Sequence, residues 1–305
     1  MNLALARQSC RFLILASGLL LAGITQAQIS STNSLEQIRS RGHILLGFRE
    51  DAVPFSYLDA SGRPIGFAID LCHQVIEAIK SKFKLPELKV FHLATTQASH
   101  QVMLESGGID LYCGNAVNTT QKQRAVAFSV TTYVAALQAL TLKDAGIAAL
   151  ADLEGKTIVT VAGSTSEAAF KATAIRQGLT PLFRNHRDDA DTLRLLNSGH
   201  AAALILSDVD MRKLMLSTSP ATRENLALLP GNYGYESYAL EFRRQDPAFK
   251  RLIDDTLVHL MKNGEFIRIY QQWFAAPLPT IGGNLELPMS EILKQLLLTP
   301  NDHGM

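Results

Sequence analysis

The residue types that do chemistry are present, but not in the arrangements that several common enzyme classes use, which makes an enzyme less expected without excluding one. The chain has no G-x-S-x-G elbow, no phosphate-cradling G-x-x-x-x-G-K-[ST] loop, no H-E-x-x-H pair and no G-x-G-x-x-G turn. Each of those places a nucleophile, a backbone approach to phosphate or two metal ligands at fixed offsets. The cysteines and histidines form no cluster with zinc-ligand spacing, so neither a metal nor a cofactor is expected. Cys72 and Cys113 could pair in an oxidising compartment or stay free, and two are too few to be the main scaffold. Ser164-Thr-Ser-Glu167 matches a helix N-terminal capping box, the one local constellation with a clear physical role.

The elements that position such groups begin after residue 27. Arg7 and Arg11 precede the run Phe12-Leu-Ile-Leu-Ala-Ser-Gly-Leu-Leu-Leu-Ala-Gly23, and Thr25-Gln-Ala27 follows. This reads as a secretory signal peptide cleaved near Ala27, so an exported protein is expected. The run is too short to span a bilayer, which takes about 20 residues. Cys10 lies ahead of it and so cannot be a lipidated cysteine at its end. Losing two arginines and no acid moves the formal charge from +1 to −1. That near-neutral charge predicts no nucleic-acid partner. Of 305 residues, 47% are hydrophobic and 19% charged, which excludes disorder and sets a soft expectation of about two domains.

Short apolar runs then alternate with helical periods. Strands are predicted at 43–48, 88–93, 109–112 and 133–142. A helix is predicted at 67–83, where Ile69, Cys72, Val75, Ile76 and Ile79 share one face, and a shorter one at 98–105. A second set follows: strands at 157–161, 181–183, 201–206, 226–229 and 237–242, and helices from 164 to about 178 and at 189–196. Helices at 247–261 and 265–274 close the series, and a linker at 277–283 leads to an amphipathic segment at 289–298. Such alternation means mostly parallel sheets covered by helices. The expected fold is α/β with two lobes: 28–133 plus 233–278 form lobe 1, 134–232 an inserted lobe 2 and 279–305 a tail. Two crossover strands would hinge them.

One family accounts for these observations together. Gly47-Phe-Arg-Glu-Asp-Ala-Val-Pro-Phe-Ser-Tyr57 and Gly66-Phe-Ala-Ile-Asp70 resemble the opening of bacterial extracellular solute-binding proteins of the polar amino acid class. The likeness continues through Gly108-Ile-Asp110, Ala127-Phe-Ser129, Asp152-Leu-Glu-Gly-Lys156, Gly163-Ser-Thr-Ser166 and Asp246-Pro-Ala-Phe-Lys250. It reaches Gly264, Trp273-Phe274 and Pro300-Asn-Asp302. Within that class the chain is most similar to glutamate/aspartate-binding proteins, which feed ABC importers. The resemblance implies the type II periplasmic-binding-protein fold.

It also implies a ligand site. Arg49 stands where the family reads the ligand side chain, and a guanidinium fork suits a carboxylate; it could equally pair with Glu50 or Asp51. Ser164 and Thr165 match the family's α-carboxylate position at a helix start, where free N–H groups favour an anion. Two departures stand out. The family's α-carboxylate arginine reads here as Lys122, with Arg124 two residues on. The family's α-ammonium aspartate reads as Ser207, with Asp208 next. Asn115, His100 and Asp189 fall where acidic amino acid binders carry Ser, Arg and His, and Phe55 and Tyr57 either line the cleft or pack in the core.

The expected function is therefore capture of a small anionic solute, glutamate, aspartate or a related carboxylate, by a monomeric protein that closes over it and delivers it to ABC permease subunits. Two alternatives share the fold. One is an enzyme resembling cyclohexadienyl dehydratase, with Glu50, Asp51 or Asp208 as general acid. The other is a module that presents a ligand to a receptor.

Overall fold

The computed structural model describes residues 33–304 except 162, 163, 187, 188 and 232, and for 186 and 189–191 the backbone alone. The predicted signal segment 1–27 and Gly163 lie outside the described residues. No described helix is long and apolar enough to cross a membrane.

The first half runs α1 (Ser34–Arg41), β1 (His43–Phe48), β2 (Asp51–Ala52), β3 (Ser56–Leu58), β4 (Pro64–Ile65), α2 (Phe67–Phe83), β5 (Lys89–Ala94), α3 (His100–Ser106), β6 (Leu111–Tyr112) and β7 (Val126–Phe128). The chain continues through β8 (Tyr133–Leu142), β9 (Thr157–Val161), α4 (Thr165–Arg176), β10 (Leu182–His186), α5 (Asp189–Asn197) and β11 (Ala203–Ser207). Then come α6 (Asp208–Ser217), α7 (Pro220–Glu224), β12 (Leu226–Leu228), β13 (Tyr235–Tyr238), β14 (Glu241–Arg243), α8 (Pro247–Asn263), α9 (Glu265–Phe274) and α10 (Glu291–Leu298).

Two large sheets result. The first has the order β5-β1-β6-β14-β7, and the second β10-β9-β11-β8-β12, with β13 also on β8. Strands β2 to β4 form a small separate meander. In the first sheet only β14 is reversed; in the second only β8 is. These are the two strands the chain enters directly after crossing from one sheet to the other. The crossings occupy 129–132 and 239–240. Ser129 and Leu240 bind each other there, N–H to carbonyl at 2.9 Å, with Leu240 N–H donating to Ser129 Oγ at 3.0 Å.

The expected single strand at 237–242 is thus two strands. Tyr238 is still paired with Tyr133 of β8, whereas Glu241 already pairs with Tyr112 and Phe128 in the first sheet. The change of partner forces the break. Helix α6 was not anticipated from the sequence; Ser207 caps it, its Oγ accepting from Asp210 N–H at 3.1 Å.

Burial explains why the remaining elements form. On β8, β9 and β11 alternate side chains enter opposite cores. Leu137, Ala139, Ile158, Ala203 and Ile205 meet Phe170 and Ala174 of α4. Leu140, Val159, Leu204 and Leu206 meet Leu196, Met211 and Leu214 of α5 and α6. A sheet covered on both faces needs apolar residues at every position, which is why these strands read as unbroken runs. In the first sheet α2 buries Ile69, Cys72, Val75, Ile76 and Ile79 as its period predicts.

Several residues of the quoted motifs prove to be fasteners. Asp110 is fully buried and accepts from Leu45 N–H at 2.9 Å, from Arg243 Nη2 at 3.2 Å and from Arg41. Trp273 Nε1–H donates to Asp70 at 2.7 Å, tying α9 to α2. Asp246 caps α8 and also accepts from Ser34 N–H at 2.7 Å. In the tail, Asn301 carbonyl accepts from Thr131 N–H, and Asp302 pairs with Lys250 at 2.8 Å. Cys72 and Cys113 form a disulfide with Cα atoms 6.2 Å apart, joining α2 to the end of β6.

Candidate functional site

In open sheets with parallel strands, ligands collect beyond the carboxyl ends of those strands. Here the loops after β1, β5 and β6 carry Arg49, Gln97, Asn115 and Lys122, and α3 after β5 opens with His100. Those after β9, β10 and β11 lead to Ser164, Thr165, Asp189 and Asp208. The predicted residues therefore sit at strand ends of both sheets.

A cleft of about 740 Å³ lies among them. One wall is the loop after β6: Val117, Thr119, Thr120, Gln121 and Lys122, with Gln101 of α3. The other is the start of α4, Ser164, Thr165, Ala168 and Ala169, with Tyr235 and Glu236 of β13. Lys122 opens a short 3-10 turn, its N–H donating to Thr119 Oγ1 at 3.2 Å. Among the described residues its ammonium makes no ion pair. Opposite, Ser164 Oγ accepts from Glu167 N–H at 3.1 Å, which confirms the cap; the first N–H groups of any helix have no intrahelical partner, so an anion is favoured there.

The remaining predicted residues do not line this cleft. Arg49 donates to Asp51 through Nε at 3.0 Å and Nη2 at 2.6 Å, and to Gln97 at 3.2 Å through Nη1. His100 is only 3% exposed, stacks on Tyr112 at 4.3 Å and holds Nε2 3.2 Å from Glu241. Tyr57 is buried against Trp273 and donates to Pro279 carbonyl at 3.2 Å; burial pushes its phenol up to about 12. Phe55 packs in the same core among Phe67, Tyr133 and Phe274. Asn115 is half-buried, with Oδ1 buried and unpartnered among the described residues. The side chain of Asp189 lies outside the described residues.

Ser207 is committed: its hydroxyl donates to Asp210 at 2.7 Å while accepting the capping N–H. Asp208 accepts from Tyr133 hydroxyl at 3.2 Å and Val209 N–H at 2.8 Å, and burial pushes its carboxyl up to about 6. Glu50 is exposed, and Asp51 is taken by Arg49.

Sequence reasoning missed Glu236. It is 3% exposed, lines the cleft and accepts from the hydroxyls of Ser166 at 3.0 Å and Tyr238 at 3.2 Å. Burial holds its pKa above the usual carboxylate range, against hydrogen bonds from Thr165, Ser166 and Tyr238. An available signal was a lone acid flanked by Tyr235 and Tyr238, one residue ahead of the strand expected at 237–242.

Known proteins resemble this chain in sequence and in fold. Residues 44–276 match bacterial extracellular solute-binding proteins, family 3. An L-glutamate/L-aspartate-binding protein of Pseudomonas aeruginosa is 34% identical over 296 residues, 94% of this chain and 97% of the relative. A glutamate/aspartate import solute-binding protein of Escherichia coli is 30% identical over 287 residues, covering 93% and 94% of the two. Among solved structures, an ABC uptake transporter substrate binding protein from Streptococcus pneumoniae with bound histidine superposes with TM-score 0.64. It is 23% identical, and the match covers 82% of this chain and 100% of that one. A sequence match across most of the chain, a shared two-sheet fold and a cleft at the strand ends place this protein in the bacterial extracellular solute-binding proteins, family 3.

Proposed function

We propose that the protein captures an acidic amino acid or a related small carboxylate outside the cytoplasm and hands it to the permease subunits of an ABC importer. The observation that carries this is the pairing across one cleft of Lys122, unpaired among the described residues, with the first turn of α4 at Ser164 and Thr165. An ammonium and a helix N-terminus both favour an anion between them. The two named relatives, which bind or import glutamate and aspartate, support the same ligand class.

Arg49 joins on closure. Its partner Asp51 is largely exposed, and an ion pair of that kind is worth about 0–1 kcal/mol. A ligand carboxylate held away from water competes well against it. Closure bends the crossings at 129–132 and 239–240, bringing 28–133 plus 233–278 against the inserted 134–232. Residues 1–27 direct export, and the protein acts as a monomer without a cofactor.

Calorimetric titration of the purified protein against glutamate, aspartate, succinate and glutarate tests the reading. Saturable binding of at least one anion is expected. Binding confined to neutral or cationic amino acids would overturn it.

A further inference from the structure

We infer that Glu236 receives the ammonium group of the ligand, so that the cleft selects an amino acid over the dicarboxylate that lacks the amine. This deepens the reading of the cleft as an anion site and rests on it.

Three observations carry it. First, the position that resembles the family's ammonium acceptor is filled by Ser207, whose hydroxyl is consumed by Asp210 and the cap of α6. A neutral hydroxyl cannot balance an ammonium charge. Second, among the described residues Glu236 is the one carboxylate on the cleft wall. Third, its donors are all neutral. A carboxylate accepts at about four lone-pair positions. The hydroxyls of Thr165, Ser166 and Tyr238 take three, and among the described residues no cation pairs with it. A buried charge without a counter-ion is costly, and a cation brought by the ligand removes that cost. Asp210 adds negative potential at the same place.

The geometry also matches the ligand's own chemistry. An amino acid carries its carboxylate and ammonium on one carbon. Thr165 stands at the anion-binding start of α4 and also donates to Glu236. One residue thus links the two subsites that adjacent groups of a single ligand would occupy.

The test compares glutamate with glutarate and aspartate with succinate, each pair differing only by the amine, on the wild-type protein and on Glu236→Gln. Gln keeps the shape and most hydrogen bonds but not the charge. The wild type is expected to prefer each amino acid by about tenfold or more, and Glu236→Gln to lose most of that preference while binding of the dicarboxylates changes by less than about threefold. Equal binding of both members of a pair by the wild type overturns the assignment and leaves the anion site intact. Equal weakening of both members by Glu236→Gln also overturns it, since that is the signature of a purely structural link between α4 and β13. Binding of no carboxylate at all removes the anion site and this inference together. If Glu236→Gln does not fold, as judged by its thermal transition, the wild-type ratios decide.

Discussion

At the first sheet, Arg49 and His100 leave strand ends already engaged, one with Asp51 and Gln97, the other with Glu241. At the second, Ser164 and Ser207 leave the equivalent strand ends as helix caps. The first rim thus holds polar groups already paired with neighbours, apart from Lys122 on its outlying loop. The second rim offers backbone donors and hydroxyls, with the Asp208 carboxyl turned onto Tyr133 and that of Glu236 carried by β13. One topology used twice has two different rims, and the charges without an ion pair among the described residues come from a loop, at Lys122, and from β13, at Glu236. Strand ends fix where a site lies; the irregular segments beside them decide what it binds.

The two sheets differ in reinforcement as well. The only disulfide among the described residues ties α2 to the first sheet. A double Cys72→Ala, Cys113→Ala variant is expected to lose about 4 kcal/mol of stability, from the loop of 41 residues it closes. Urea unfolding measures this, and hydrogen exchange should show the loosening in α2 and β6 before β9 and β11. Uniform loosening would mean that the sheets unfold as one unit.

The contrast between free and committed cations gives the next expectation. Lys122→Ala removes a charge-assisted contact and should weaken anion binding roughly 10–100-fold. Arg49→Ala should cost about tenfold, less because Asp51 competes for the guanidinium throughout. Calorimetry on both variants ranks them, and a larger loss at Arg49 would reverse the assignment of the uncommitted charge.

A last expectation, on stability and not on binding, concerns Asp208, where the second sheet meets the junction. Burial raises its folded pKa to about 6, above the unfolded value near 4. Between those values the folded protein holds a proton that the unfolded chain has released. The contribution of Asp208 to stability therefore falls as pH rises through this window. Asp208→Asn should flatten that part of the stability profile, by roughly 2–3 kcal/mol between pH 4 and 7. An unchanged profile would show that Asp208 is solvated.

Much of the fold was legible in the sequence. The strands His43–Phe48, Tyr133–Leu142 and Thr157–Val161 and the helices Phe67–Phe83 and Glu265–Phe274 coincide with the apolar runs and periods that predicted them. Their burial is one- or two-sided and regular, so local pattern and tertiary environment agree. Helix α6 was not legible, because its apolar side chains are interrupted by Asp210, Arg212 and Lys213 and its start depends on a cap. The break between β13 and β14 was not legible either, because every residue of 235–243 is compatible with a strand, and only a change of partner sheet divides it.

The site divides the same way. By itself the chain determined the α/β alternation and the likeness to extracellular solute-binding proteins, because hydrophobic period and the order of short motifs express those properties directly. It also determined the cap at Ser164 and the replacement of Arg by Lys122. Tertiary structure alone decided which side chains remain available. Arg49 is a cation and His100 a polar ring in the sequence, but Asp51 and Glu241 lie within reach in space and engage them. Ser207 looks like an open acceptor until Asp210 folds onto it. Glu236 acquires its place only when β13 pairs with β8 and meets the first turn of α4, since the availability of a charge depends on what the rest of the chain brings next to it.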